Sequence, residues 1–278
     1  MTMKPPVTPT AAMPPRTAAT VLYSDKALDH HCLVFSNLAG TAGIQANQFL
    51  VIHKKHAAVI DPGGDLTYTP LTIELSKWCD LSQLDYVLAS HQDPDIIASL
   101  PRWLMHTRAK AVCSRLWSRF LPHLASPFMM KNMNVNVMER IMELPDRGGD
   151  IPLGDCTLKA IPAHFLHSVG NFHFYDPVSK ILFSGDMGSS IVSEKEADPV
   201  EDFDAHIGAM KGFHQRYMAS RKVSALWAEM VRGMDVEMLV PQHGRPFKGR
   251  VMVHRFLDWI SQLPSGVDLL DAGSYQVP

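Results

Sequence analysis

The sequence predicts an α+β protein, an αββα four-layer sandwich, and three observations carry that prediction. The apolar strands come mostly as hairpin-connected runs, helical patterns follow them in each half, and several strands end on a His or Asp beside Gly or Pro. Strands that pair locally and are followed by helices leave the helices to cover the outer faces of two sheets.

The elements read in order as follows. Residues 1–20 are rich in Pro, Thr and Ala, carry only Lys4 and Arg16 as charges and lack an apolar core, so they are expected to be a disordered tail and not a secretory signal. One domain is expected over 21–265, with a short tail at 266–278. Strands are expected over 31–36, 46–52 and 57–60, the last ending at the turn Asp61-Pro62-Gly63-Gly64. A helix near 68–79 precedes the strand 85–90, and a second helix runs from about Asp95 to Met105. Lys110–Cys113 reads as a short strand and 114–121 as helical. Strands follow near 136–143, 156–162, 171–175 and 180–184, the last running into Ser184-Gly185-Asp186. Helices over 203–219 and 221–232 precede the strand 236–240, which runs into Pro241-Gln242-His243-Gly244, and an amphipathic helix closes the pattern over 250–262.

Composition narrows the function classes. Hydrophobic residues make up 46% and charged residues 19% of 278, enough to fill a sizeable core. The net charge of -2 offers no basic footprint for nucleic acid. No apolar run approaches the ~20 residues a membrane span needs, so no membrane partner is expected. The four cysteines (Cys32, Cys79, Cys113, Cys156) form no CxxC and read as buried free thiols of a reducing, cytoplasmic compartment. The 16 methionines, among them Met129, Met130, Met133 and Met138, are expected to pack a pliable core or helix layer, with a homodimer surface as the alternative.

Fourteen histidines invite a search for metal ligands. His91-Gln92-Asp93-Pro94-Asp95-Ile96 follows the apolar run Leu84–Ser90. In extended backbone an imidazole and two carboxylates at alternate positions share one side of the chain. His164, Asp186 and His243 each stand at the end of another apolar strand. Alone, each such residue is more often structural; together, at strand ends of a rigid sheet, they have the makings of a metal cradle.

Taken in order, His91-x-Asp93-x-Asp95, His164, Ser184-Gly185-Asp186 and Pro241-Gln242-His243-Gly244 resemble the metallo-β-lactamase superfamily over roughly residues 30–262, with Ile60–Gly64 similar to its early strand-turn. Hydrolases of that superfamily typically read HxHxDH at the first motif. Here Asp93 takes the second position and Ile96 the last. A carboxylate at the second position is similar to the flavodiiron branch, with HxExDH, and most of all to short oxygen-binding diiron proteins.

That resemblance implies two iron ions, with manganese or zinc as alternatives. His91, Asp93 and His164 would hold one, Asp95 and His243 the other, and Asp186 would bridge them. An oxygen-rich donor set agrees, since zinc is more usually held by imidazole or thiolate. The superfamily's spacing before Ser168 picks His164 as ligand and leaves His167 behind it, orienting a ligand or hydrogen-bonding a bound group. Ile96 marks an open position at the second iron, for water, dioxygen, a substrate oxygen or another side chain.

The resemblance further implies a protein that binds, senses or slowly reduces dioxygen (or nitric oxide). With 35 residues after His243, no flavin domain and no FMN are expected in this chain, so turnover would need an external electron-donor protein. Two alternatives stay open: a metal-dependent hydrolase of esters, thioesters or phosphodiesters, and a redox-switched module read by a signalling partner.

Overall fold

The computed structural model describes residues 19–40, 43–124, 131, 137–192 and 198–277. A seven-stranded sheet runs in chain order: β1 (Thr20–Asp25), β2 (His30–Phe35), β3 (Gln48–His53), β4 (His56–Ile60), β5 (Leu84–Leu88), β6 (Lys110–Ser114) and β7 (Ile141–Leu144). Strands β1 to β4 pair antiparallel and β4 to β7 parallel. Its crossovers carry α1 (Asp65–Leu75), α2 (Pro94–Ile97), α3 (Leu100–His106) and α4 (Arg115–Ser118).

The second sheet contains β8 (Gly149–Leu153), β9 (Cys156–Pro162), β10 (Phe172–Asp176), β11 (Ile181–Phe183), β12 (Met238–Val240) and β13 (Phe247–Lys248), ordered β13-β12-β11-β10-β9-β8. The β11–β12 pair is parallel and the other pairs are antiparallel. The β11–β12 crossover carries α5 (Phe203–Tyr217) and α6 (Arg221–Arg232), and α7 (Arg250–Gln262) follows β13.

The period of two in the strands builds the four layers. In β2, Leu33 and Phe35 face the outer helices while Cys32 and Val34 face the other sheet. In β11, Leu182 faces the outer helices of the second half while Ile181 and Phe183 face inward. Phe49 and Phe183 meet between the sheets, ring centroids 5.0 Å apart and each no more than 1% exposed. Burying such a side chain contributes about 1.5–3 kcal/mol.

The expected αββα order is therefore present, with local differences. The helix expected over Asp95–Met105 is two helices, because Pro101 has no N–H for the carbonyl a turn earlier and Ser99 turns its hydroxyl to the Gly63 carbonyl at 2.6 Å. Of the strand expected near 136–143, Val137–Arg140 is a 3-10 turn, pinned where the Arg140 guanidinium donates to the carbonyls of Thr107 and Ala109. Three strands escaped the sequence reading: β1, which begins at the end of the Pro/Thr/Ala stretch, β8, broken up by Gly149 and Pro152, and two-residue β13. Pro152 is tolerated because β8 is an edge.

Residues 1–18 of the expected tail, and Met129, Met130 and Met133, lie outside the described residues. Met138 is 42% exposed and is not core, whereas Met187, Met210 and Met218 are fully buried. The stretch expected as a C-terminal tail contains two 3-10 turns, Gly266–Leu269 and Ala272–Ser274. All four cysteines are free thiols. Among the described residues no helix is long and apolar enough to cross a membrane.

Candidate metal centre

Residues beyond the C-terminal ends of β5, β9, β11 and β12 converge on one cavity of about 490 Å³. Beyond β5 the chain bends at Ser90 and His91 and reaches Asp93, which stands at the N-cap of α2 with Pro94 opening the helix, so Asp95 lies on its first turn. The turn separates the two carboxylates that the alternating spacing placed on one side. Asp93 goes to one half of the cluster and Asp95 to the other.

In the first half, His167 Nε2 lies 2.8 Å from Asp186 Oδ2 and 3.3 Å from Asp93 Oδ2. His91 Nε2 lies 3.5 Å from the same Asp186 oxygen and 3.8 Å from Asp93. In the second half, His243 Nε2 lies 3.5 Å from Asp95 Oδ2 and 3.5 Å from Asp186 Oδ1. Asp186 thus turns one oxygen to each half. Donors about 2.0–2.2 Å from a shared ion stand roughly 3.0–3.5 Å apart, so the spacing suits metal in both halves.

The tautomers are set from behind. Ser90 donates its N–H and O–H to buried Asp61 at 2.8 and 3.0 Å, so the Ser90 hydroxyl must accept from His91 Nδ1 at 2.9 Å. His243 Nδ1 donates to the Gln45 carbonyl at 2.6 Å. Both histidines therefore present the Nε2 lone pair to the cluster, the arrangement a ligating imidazole needs. Asn47, 1% exposed, holds the His243 turn from the opposite half of the molecule, donating to the carbonyls of Pro241 (3.1 Å) and Gly244 (3.0 Å). Gly244 has φ +84°, and a Cβ there would run into Ser190.

Charge in the cluster is arranged for cations. Burial opposes a proton on His167, yet its hydrogen bonds to Asp186 and Asp93 carry its pKa up to about 10. Burial alone would raise Asp186, but His167, His91 and His243 hold it well below the usual carboxylate range. His167 lowers Asp93 in the same way. Burial lowers His91. Burial lifts Asp61 to about 7, against the pull of the Ser90 hydrogen bonds.

Three buried oxygens lining the cavity, Gln45 Oε1, Asp186 Oδ1 and Ser189 Oγ, have no hydrogen-bond partner. Unpartnered acceptors beside three carboxylates and three imidazoles are what bound ions would satisfy, and this oxygen-rich set fits iron. Donor atoms of His91, Asp93 and His167 lie within 4.8 Å of one another.

Five of the six expected ligands are together: His91, Asp93, Asp95, Asp186 and His243. The sixth is a correction. His164 points away from the cavity, its Nε2 on the Asp146 carbonyl at 2.7 Å and its ring edge-on to Phe172, while His167 enters the cluster. The β9–β10 loop makes the exchange: Phe165 has φ +67° and its N–H closes on the Ser168 carbonyl at 2.7 Å, so residues 164 and 167 face opposite ways. Ile96 is a second correction. Its side chain is fully buried under the first sheet in the cluster containing Leu71, Leu100 and Trp103, and does not line the cavity. Asp61 and Asn47 were missed as supports of the site. Asp61 read only as part of a turn, and Asn47 only as part of the strand expected over 46–52.

Residues 44–244 match the family described as ODP family beta lactamase. A solved structure of the chemotaxis sensor ODP, described as a peroxy diiron species, is 35% identical with a TM-score of 0.79, covering 91% of this chain and 98% of that one. The apo state of chemotaxis sensor ODP from T. denticola is 36% identical with a TM-score of 0.76, covering 90% and 97%. The fold extends to a flavo di-iron protein mutant from Thermotoga maritima, 17% identical with a TM-score of 0.69, covering 87% of this chain and 61% of that one. An uncharacterised protein of Methanocaldococcus jannaschii is 26% identical over 226 residues, 78% of this chain and 53% of that protein. The chain spans about half the length, or less, of the curated relatives it matches.

Proposed function

This chain belongs to the ODP family of beta lactamases, and on that basis we propose that it holds two iron ions and binds dioxygen, as a sensor. The observation that carries the reading is Asp186, with one oxygen at 2.8 Å from His167 and the other 3.5 Å from His243. A carboxylate so placed could serve an ion in each half. His91, Asp93 and His167 would hold the first, and Asp95 and His243 the second.

Iron in both halves would supply two electrons to a bound diatomic such as dioxygen or nitric oxide. The residues around it do the rest. Asp61, through Ser90, keeps the His91 lone pair aimed inward, and Gln45 does the same for His243. Ile44, Phe213 and Tyr217 add apolar surface to the cavity wall. The second half has fewer protein donors than the first, Asp95 and His243 against His91, Asp93 and His167, and that half is where a small ligand would enter.

ODP is described as a chemotaxis sensor. For this chain the same reading makes the oxidation state of the irons the signal and a protein partner the reader. Pull-downs from anaerobic and aerated lysate should then recover different partners; identical partners count against sensing. Iron binding is tested by anaerobic loading with Fe(II) followed by air. A new visible charge-transfer absorption supports the proposal, and a colourless, oxygen-inert protein refutes it.

A further inference from the structure

A second histidine cluster lies at the far end of the sandwich. β9 begins at Cys156 and runs roughly 20 Å before the loop that bears His167. At its starting end, His30 opens β2 and His53 closes β3, paired across the ladder. None of these residues shares a sequence motif, and the 30/53/156 spacing gives no hint of a site.

The hydrogen bonding there is distinctive. His30 Nε2 donates to Asp176 Oδ2 at 2.8 Å, and His53 Nε2 donates to Asp155 Oδ1 at 2.7 Å. Each imidazole thus has one nitrogen committed to a carboxylate. The two remaining nitrogens, both Nδ1, face each other at 3.1 Å. His30 is fully buried and His53 is 5% exposed. Two neutral imidazoles so tied would oppose lone pair to lone pair, so a positive centre must lie between them, either a proton or a metal ion.

Two details favour the metal. Ligating histidines characteristically give their other N–H to a carboxylate, and here both do. Asp176 is itself held, by the Ser179 N–H at 3.1 Å and by the Cys32 thiol at 3.4 Å. The third neighbour is a thiol: ligand atoms of His30, His53 and Cys156 all lie within 4.8 Å of one another. Nitrogens about 2.0–2.1 Å from zinc at a tetrahedral angle stand about 3.3 Å apart, close to the spacing seen.

We propose that His30, His53 and Cys156 form a zinc site that clamps the two sheets at the end opposite the carboxylate centre. An N₂S set suits zinc over iron or magnesium. His30 and His53 come from the first sheet and Cys156 from the second, so the ion joins them directly. On binding, the Cys156 thiol releases its proton to solvent, gives up its hydrogen bond to the Leu153 carbonyl and turns its thiolate lone pair to the ion. The groove lined by Lys54, His56, Gly154 and Asp155 adjoins His53 and gives the ion a way in.

The test uses the full chain, purified without chelator. Metal analysis should find about one zinc per chain besides the iron, and Co(II) titration should give a thiolate-to-cobalt charge-transfer band. Because the carboxylate centre has no thiolate, the band should persist in Asp186→Asn and vanish in Cys156→Ser, whose zinc should fall at least about tenfold with iron unchanged. No cobalt–thiolate band, or a band undiminished in Cys156→Ser, overturns the site and leaves a shared proton between the two histidines. Should Cys156→Ser fail to fold, zinc-edge X-ray absorption of the wild-type chain decides. Sulfur in the ion's shell supports the proposal, and a shell of nitrogen and oxygen alone overturns it.

Discussion

Replacing His167 separates the two candidate imidazoles of the β9–β10 loop. In the metal-free chain, His167 pairs with Asp186 at 2.8 Å and Asp93 at 3.3 Å, and the Asp186 side chain is 4% exposed. His167→Ala leaves that buried carboxylate facing Asp93 without its nearest counter-charge. Removing one partner of a buried pair costs about 3–5 kcal/mol, and since His167 is 17% exposed the low end, about 3 kcal/mol, is expected. His164→Ala loses only a hydrogen bond to the Asp146 carbonyl and an edge contact with Phe172, about 1–2 kcal/mol together. Urea denaturation of both variants without metal measures this difference directly. Iron analysis after anaerobic loading gives the second readout: His167→Ala should drop to about one iron per chain, with His164→Ala unchanged. Iron lost in His164→Ala and retained in His167→Ala would refute the placement of the loop and the ligand exchange argued from it.

Other consequences follow from the same geometry. Asp95→Ala should leave the His91/Asp93/His167 half loaded and empty the other, halving the iron measured by colorimetric assay. Asn47→Ala removes both bonds to the His243 turn and leaves two carbonyls unpaired, so stability by chemical denaturation should fall by about 1–3 kcal/mol. His214 is fully buried, with Nδ1 donating to the Met210 carbonyl and Nε2 accepting from the Gly188 N–H, and burial pushes its pKa down to about 4. Its folded value lies below its unfolded one, so the unfolded chain binds the extra proton. Stability is therefore full above about pH 6.5 and falls as pH drops toward 4. The shift from 6.5 to about 4 is worth about 3 kcal/mol, and His214→Gln should flatten the denaturation profile in that window.

Much of this was legible in the sequence because period and position carried it. The continuous apolar runs of β2, β3 and β11 announce sheets buried on both faces, and a ligand type at the end of several apolar strands announces where those sheets meet a site. Five residues that gather at the cavity (His91, Asp93, Asp95, Asp186 and His243) were found by that grammar. His164 and His167 could not be separated by it, since both lie past the strand end, and the choice belongs to a loop whose path depends on Phe165 at positive φ and on the Ser168 carbonyl. Ile96 was misread for a related reason. It stands where the superfamily's motif has a further His and so read as an open position at the second iron, but Pro94 starts a helix there, and helical rotation carries Ile96 into the core. Asp61 and Asn47 act across distant pairings, Asp61 on Ser90 and Asn47 on Pro241 and Gly244, and no local pattern encodes such contacts. The His30/His53 pair is legible only once β2 and β3 are set in register.

The central claim is a dinuclear iron centre that reacts with dioxygen. Mössbauer spectroscopy of the chain loaded anaerobically with iron-57, recorded before and after exposure to air, tests it most directly. The account predicts about two high-spin ferrous ions per chain that oxidise together to a magnetically coupled ferric pair. Ferrous ions unchanged in air, or a single uncoupled ferric ion, would contradict it.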